Sequence, residues 1–424
     1  MSTVPPLPAL TPVNAEHSSL RERALAARDR PAPYGPDLDL TQFNKPEARA
    51  PVENLRSLHT QIREAAFLAG IDTEEADRAG SYFQIDYSAI YQHIQQAYQG
   101  QIELMTTAEA LNRYEWLWNY WWQAVEVDAD KYTAAAELDQ TGGFFLRVFA
   151  GQRVERPIQA CLFVQENNIS QNVHNVIIVE EKAEAQLITG CTLHPGVREG
   201  LHIGVTEVFL NSGATLTNRM VHNWAEGFHV RPRTGVIAET GATFVSDYIL
   251  LRPVRSVQAF PQVVLRGEGA RAQFHNVMVG VKDSLIDIGS RVELLGRGSQ
   301  AESISRAVAR DNSIIYLRGT LMSRDNDSRG HLDCRGMLLS DAARIYAIPE
   351  LQAIGAPRSE LSHEAAVGPI ADEAVEYLMT RGLPRDVAVA TLTLGFLKIE
   401  LPGLPSVVTQ HLERVMAATA SRGL

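Results

Sequence analysis

The 424-residue chain is 45% apolar and 21% charged, an ordinary balance for a globular protein with room for more than one domain. Lys and Arg total 39 against 50 Asp and Glu, a net charge of -11; such a surface disfavours a phosphate backbone, so nucleic acid is not the expected partner. No apolar run approaches a membrane span, and three widely spaced cysteines, Cys161, Cys191 and Cys334, argue against a disulfide framework and for a reducing, cytoplasmic compartment.

Residues 1–50 are rich in Pro and polar groups, as in Pro5-Pro6-Leu7-Pro8, and predict a flexible arm or an extended wrap. Met1 to Leu10 lacks the basic-then-apolar order of a secretory signal. Residues 51–140 predict a helical region. Asp72-Thr73-Glu74-Glu75-Ala76 reads as a capped helix start, and Ser88–Tyr98 and Ala108–Val125 carry helical spacing. Tyr114, Trp116, Trp118, Tyr120, Trp121 and Trp122 form an aromatic cluster suited to core packing.

From 141 to 355 the pattern becomes β. Short β-branched runs alternate with turns, as in Asn175–Val179 and Ala185–Ile188. Gly213-Ala214-Thr215, Gly241-Ala242-Thr243 and Gly269-Ala270-Arg271 recur every 28 residues, and Gly298-Ser299 nearly keeps the interval. Each glycine suits a tight turn with positive φ leading into a strand. The repeat is shorter than a propeller blade and fits stacked β coils or hairpin layers. Residues 356–424 predict a helical region, with helices over Ile370–Arg381, Asp386–Lys398 and Val407–Ala418.

Cys334 and the pair His363-Glu364 are the candidate chemistry. Thiol, imidazole and carboxylate bind soft and borderline metals, but a closed structural site needs about four ligands. On spacing alone the plainer reading is a buried thiol beside a surface His–Glu pair.

The motifs in combination resemble the SufB/SufD family of iron–sulfur cluster assembly scaffolds over about residues 69–418. Gly142-Gly143-Phe144-Phe145, Pro157-Ile158-Gln159, Gly190-Cys191-Thr192, Val221-His222-Asn223-Trp224-Ala225-Glu226, Leu332-Asp333-Cys334 and Ser362-His363-Glu364-Ala365-Ala366-Val367-Gly368 carry the match in order. The resemblance implies a mainly β fold, a parallel β-helix flanked by helices. It implies a scaffold rather than an enzyme, assembling a transient [4Fe-4S] or [2Fe-2S] iron–sulfur cluster with a SufC-like ABC ATPase docked on the C-terminal helices. Cys334, His363 and Glu364 match cluster-holding positions, with His331 and Asp333 as alternative donors. Cys191 matches a sulfur acceptor whose cargo passes through the helix interior by Asn223 and Trp224. Cys161, in an apolar run, reads as structural, and His194 and His202 lie near Cys191 in sequence.

Cys334 departs from the SufD pattern, while Val367-Gly368 follows it and His363-Glu364-Ala365-Ala366 resembles SufB. The mixture implies a composite chain acting as a homodimer, with a sulfur donor and apo-protein acceptors as further partners. Two alternatives are a non-ligating SufD-like structural subunit and a β-helix carbohydrate-active enzyme. For the latter no convincing carboxylate pair lies on consecutive repeats; Asp325, Asp327 and Asp333 come nearest. No Gly-x-x-x-x-Gly-Lys-Ser/Thr loop occurs, so ATP hydrolysis is expected in the partner. Arg335 is positioned in sequence to favour a Cys334 thiolate. The C-terminal residues Val375, Leu378, Val387, Leu392, Phe396 and Leu397 form apolar stripes for capping and docking.

Overall fold

The structure is a computed structural model that describes residues 13–44, 48–250, 252–325 and 327–397. The strands in chain order are β1 (Gly80–Ile85), β2 (Ser88–Ile94), β3 (Ile102–Thr106), β4 (Phe144–Val148), β5 (Ile158–Val164), β6 (Ser170–Val179), β7 (Glu184–Leu193), β8 (Glu199–Leu210), β9 (Thr215–Asn223), β10 (Gly227–Ala238), β11 (Thr243–Leu250), β12 (Ser256–Ala259), β13 (Gln262–Leu265), β14 (Arg271–Gly280), β15 (Leu285–Leu294), β16 (Gln300–Ala309), β17 (Ile314–Ser323), β18 (Arg329–Leu338), β19 (Arg344–Ala353) and β20 (Glu360–Pro369). The helices are α1 (Val13–Ala27), α2 (Thr60–Leu68), α3 (Thr107–Arg113), α4 (Lys131–Leu138), α5 (Asp372–Thr380) and α6 (Arg385–Leu397).

The strands form two sheets. The first runs β2-β1-β5-β7-β9-β11-β14-β16-β18-β20; the second runs β19-β17-β15-β12-β10-β8-β6-β4-β3, with β13 beside β10 and β15. Only the β1–β2 and β3–β4 pairs are antiparallel. Successive coils contribute one strand to each sheet, which makes a parallel β-solenoid of the kind expected. Thr215, Thr243, Arg271, Gln300 and Arg329 stand in register on adjacent strands.

The glycine repeat has a direct cause. Gly213, Gly241, Gly269 and Gly298 have φ of 71°, 66°, 66° and 66°, a left-handed turn that a side chain would strain. The turns also bond to one another: the N–H of Gly213 donates to the Thr240 carbonyl at 2.7 Å, and that of Gly241 to Glu268 at 2.8 Å. Each turn thereby sets the height of the next coil.

Alternation fills the interior. Leu216, Phe244, Phe274 and Leu332 of the first sheet share one continuous core with Val236, Ile288, Leu317 and Leu321 of the second. This apolar lumen removes a large area from water, at roughly 25 cal/mol per Å² of apolar surface. Helices cover parts of both outer faces. α2 lies against β7, burying Ile62, Ala65 and Ile71 with Cys161 and Phe163. The C-terminal end of α6 lies against the first sheet, where Leu397 clusters with Val277, Val279 and Val308.

Residues 51–140 depart from their helical expectation: β1, β2 and β3 are strands there, and the expected helix at Asp72 and the one over Ala108–Val125 do not form as read. Ser88–Ile94 is strand β2, not helix; it pairs antiparallel with β1 and closes that end of the first sheet. Asp72 does act as a cap, accepting from the N–H groups of Glu74 (2.9 Å) and Ala76 (3.1 Å). A left-handed Glu75 (φ 54°) then turns the chain, so a turn forms instead of a helix. The predicted helix over Ala108–Val125 stops at Arg113 and a 3-10 turn follows at Glu115–Asn119.

Glu207 explains that interruption. Its fully buried carboxyl accepts from the backbone N–H groups of Trp122 (2.7 Å), Ala124 (2.6 Å) and Val125 (3.1 Å). It also meets His174 Nε2 at 2.9 Å, and the Trp121 ring stacks on His174 with centroids 3.7 Å apart. The aromatic cluster is therefore core packing, between the second sheet and the helices outside it.

In the segment expected as an arm, α1 is followed by an extended strap on the second sheet. Tyr34 lies under the Arg318 guanidinium at 3.9 Å, and Arg231 Nη2 donates to the Pro36 carbonyl at 3.2 Å. At the other end, β20 carries the solenoid to Pro369, beyond the expected change at 355. α5 and α6 then occupy the first two predicted C-terminal helices; the third, over Val407–Ala418, lies outside the described residues.

Candidate functional site

Parallel register decides which side chains meet. Residues in register on neighbouring strands face the same side, and adjacent residues on one strand face opposite sides. Leu162, Cys191 and His222 are in register on β5, β7 and β9. Cys191 is 1% exposed and belongs to the apolar core of the lumen. Burial pushes its thiol far above the ordinary range.

The surroundings of Cys191 are aromatic and imidazole-rich. His222 Nδ1 lies 2.9 Å from the Tyr248 hydroxyl. Trp224 stacks flat on Phe228, with centroids 4.6 Å apart and planes 5° apart. His202 Nδ1 meets Gln171 Oε1 at 2.9 Å. Burial drops the pKa of His202 to about 3 and that of His222 well below its ordinary value, so both rings are neutral.

The other residues expected near Cys191 are not in this group. Asn223 Nδ2 donates to Thr192 Oγ1 at 2.9 Å and its Oδ1 accepts from Arg252 Nε at 3.0 Å, on the opposite side of the sheet. His194 pairs with Gln61 at 3.1 Å. Cys161 stands in register with Gly190 rather than Cys191, buried beneath α2.

Cys334 occupies a second position in the same lumen, 3% exposed. Tyr248, Asn276, Ser305 and Cys334 are in register on β11, β14, β16 and β18. All four are buried, and Asn276 Nδ2 donates to Ser305 Oγ at 3.2 Å. A polar column thus leads from the Tyr248–His222 pair beside Cys191 to Cys334. Five strand steps separate β7 from β18, roughly 24 Å at about 4.8 Å per step. His222, Tyr248, Asn276 and Ser305 are members of this buried group that the sequence motifs do not single out. A signal existed, because Tyr248, Asn276, Ser305 and Cys334 follow the same 28- or 29-residue spacing as the glycine turns.

The residues beside Cys334 divide between two faces. His363 is in register with Leu332 and Ala365 with Cys334, so His363 shares the lumen side with Cys334. Glu364 is in register with Asp333 on the outer side and pairs with Arg335 at 3.1 Å. Asp333 pairs with Arg306 at 2.6 Å and Arg335 at 3.0 Å, and His331 Nδ1 meets Ser362 Oγ at 2.9 Å. Arg335 is therefore committed to carboxylates on the outer face and does not lower the thiol's pKa. Desolvation, followed by the charge of Asp333, pushes Cys334 up to about 11, with Arg306 opposing. Among the described residues no three His, Cys, Asp or Glu side chains converge as a metal site.

β19 and β20 are the last strands of their sheets. Among the described residues their outward edges pair with no further strand, and Tyr346, Ile348 and Val367 are each about 40% exposed. Cys334 lies one strand in from this open end, and His363 lies on it. No helix among the described residues is long and apolar enough to cross a membrane.

A parallel solenoid with two thiols in its lumen, one of them beside an open sheet end, is the class of molecule that fold and site define. The model of the SUF system FeS cluster assembly SufBD core domain matches residues 162–396, more than half of the chain. An iron–sulfur cluster assembly SufBD family protein of Methanothermobacter thermautotrophicus is 45% identical over 401 residues, covering 93% of this chain and 97% of its own length. One from Archaeoglobus fulgidus is 41% identical over 347 residues, covering 82% and 92%. The iron–sulfur cluster assembly protein SufB of Bacillus subtilis is 24% identical over 385 residues, covering 89% and 82%. The chain belongs to the SufBD family of iron–sulfur cluster assembly proteins.

The raised thiol pKa has a direct consequence. Alkylation of Cys334 by iodoacetamide should be much slower than that of free cysteine at neutral pH, and should rise as pH approaches about 11. Asp333→Asn removes a nearby negative charge, so it should move that rise to lower pH. Peptide mass spectrometry across a pH series measures both; fast neutral alkylation, or no shift in the variant, contradicts this picture of the site.

Proposed function

We propose that the protein is a scaffold on which iron–sulfur clusters are assembled and handed on, working as a homodimer with a SufC-like ABC ATPase. The observation that carries this reading is the buried column joining the surroundings of Cys191 to Cys334. Cys191 takes up sulfur; Cys334 receives it where the solenoid opens. The cluster is cargo, [4Fe-4S] or [2Fe-2S], to be passed to apo-protein acceptors.

The donor set supports a cluster held loosely. Iron–sulfur clusters favour thiolates, commonly four, and Cys334 is the thiol one chain offers at this end. His363 adds an imidazole on the same side, and imidazole suits iron less exclusively than sulfur does. Glu364 is 63% exposed; rotating away from Arg335 would bring its carboxylate to the open edge. Iron binding would displace the thiol proton, so the ligand becomes a thiolate when cargo arrives.

The strand edges support a second copy. Two edges of ten residues each, β19 and β20, unpaired among the described residues, invite pairing with another chain. Pairing there would place two Cys334–His363 sets near one another and complete a donor set that one chain lacks. α5 and α6 support the ATPase dock: Tyr377 is 57% exposed, Met379 41% and Val387 42%, while Val375 and Leu397 are buried.

Anaerobic reconstitution with iron and sulfide tests the scaffold role. Cys334→Ser should lose most of the cluster absorbance while remaining a dimer on a sizing column; absorbance equal to wild type removes Cys334 as a ligand. Cys191→Ser should reconstitute with free sulfide yet fail when a persulfide-forming enzyme supplies the sulfur. Equal cluster yields from that enzymatic source would remove Cys191 from the path.

Docking is tested separately. Tyr377→Glu with Met379→Glu should abolish co-purification of the ATPase without lowering the melting temperature. Stoichiometric retention of the ATPase would move the dock elsewhere.

A further inference from the structure

Two buried N–H groups near Cys191 have no acceptor. Among the described residues His222 Nε2 and Trp224 Nε1 make no hydrogen bond, although the two residues are only 2% and 3% exposed. Buried polar groups are nearly always paired, so two orphans in one place call for an explanation such as a ligand.

The proton on His222 can be placed. Among the described residues His222 Nδ1 is the one hydrogen-bond partner of the buried Tyr248 hydroxyl, so the phenol O–H donates to it across 2.9 Å. A neutral imidazole that accepts at Nδ1 carries its hydrogen at Nε2. Both orphans are therefore donors. His222 is in register with Cys191 on the adjacent strand, and the Trp224 ring centroid is 5.7 Å from that of His222. Stacking on Phe228 fixes the indole.

Two N–H donors in an apolar enclosure, with a thiol alongside, suit a small soft anion attached to that thiol. We propose that His222 Nε2–H and Trp224 Nε1–H hold the anionic outer sulfur of a persulfide on Cys191. This rests on the sulfur-acceptor reading of Cys191. The step balances as a sulfane transfer: Cys191 Sγ forms a bond to the outer sulfur of a donor persulfide or polysulfide. The donor's S–S bond breaks, and the donor leaves as a thiol, or as a shorter hydropolysulfide when it is a polysulfide, carrying the Cys191 proton. No net oxidation occurs. A persulfide is more acidic than its parent thiol, so the product carries a charge that the buried Cys191 thiol does not. The outer sulfur stands about 2 Å beyond Sγ, and charge-assisted bonds from the two N–H groups stabilise it there.

The test uses the full-length protein and inorganic tetrasulfide as the sulfur source. Wild type, His222→Leu, Trp224→Phe and Cys191→Ser are exposed briefly and alkylated, and the Cys191 peptide is weighed for an added sulfur. Trp224→Phe keeps an aromatic ring to stack on Phe228 and removes the N–H together with part of the indole, so melting is measured beside sulfur retention. Wild type should retain the sulfur, with the half-life falling about tenfold in each donor variant, the ratio one charge-assisted hydrogen bond supplies. A merely structural role predicts altered melting with unchanged sulfur retention. If wild type and both variants hold sulfur equally, the donor assignment is overturned and the acceptor reading stands. If Cys191 of the wild type takes up no sulfur while Cys334 does, the acceptor reading falls and this inference falls with it.

Discussion

In-register stacking of parallel coils is the constraint on which the rest of the molecule depends. Each coil rests on the previous one through a strand ladder in each sheet. Left-handed glycines at the corners bond to the coil above. Because register is held, side chains repeat in columns, and a column is the smallest unit that can carry a property along the axis. The apolar columns make the core. One column, Tyr248–Asn276–Ser305–Cys334, is polar and buried. A single-residue slip would exchange it for the outward set.

Enclosure sets the chemistry of both thiols. Desolvation disfavours charge, so Cys191 and Cys334 are protonated and His202 and His222 neutral. Beside Cys334 the charge of Arg306 favours the thiolate but is outweighed by burial and Asp333. In the proposed role that is useful: reactivity appears when a sulfur donor or a metal arrives and takes the proton's place. The outer face behaves differently, with Arg306, Asp333, Arg335 and Glu364 forming an ion-pair row over the same strands. The sheet thus separates a neutral interior from a charged exterior across one layer of backbone.

Much of this was legible in the sequence. The glycine interval marks left-handed corners of stacked β coils or hairpin layers, and the family motifs select the coil. Cys191 and Cys334 emerged through the family motifs, and their burial follows from their strands. Other features were hidden for physical reasons. Seven residues from Ser88 to Ile94 fit helix and strand patterns alike, and the tertiary pairing with β1 decides. The helical spacing of Ala108–Val125 yields to Glu207, a residue 85 positions away that binds the Trp122 N–H. The split of His363 from Glu364 follows from strand alternation once the segment is known to be β; reading the pair as one motif obscured it. Asn223 and Trp224 divide between faces for the same reason.

The central claim is that the solenoid interior connects Cys191 to Cys334. Its most direct test is to load Cys191 of the full-length protein with radiolabelled sulfur and follow the label by peptide mapping. Wild type should pass label to Cys334. Ser305→Val, which interrupts the polar column while leaving both cysteines in place, should leave the label on Cys191. Equal arrival at Cys334 in the two proteins would contradict an internal path.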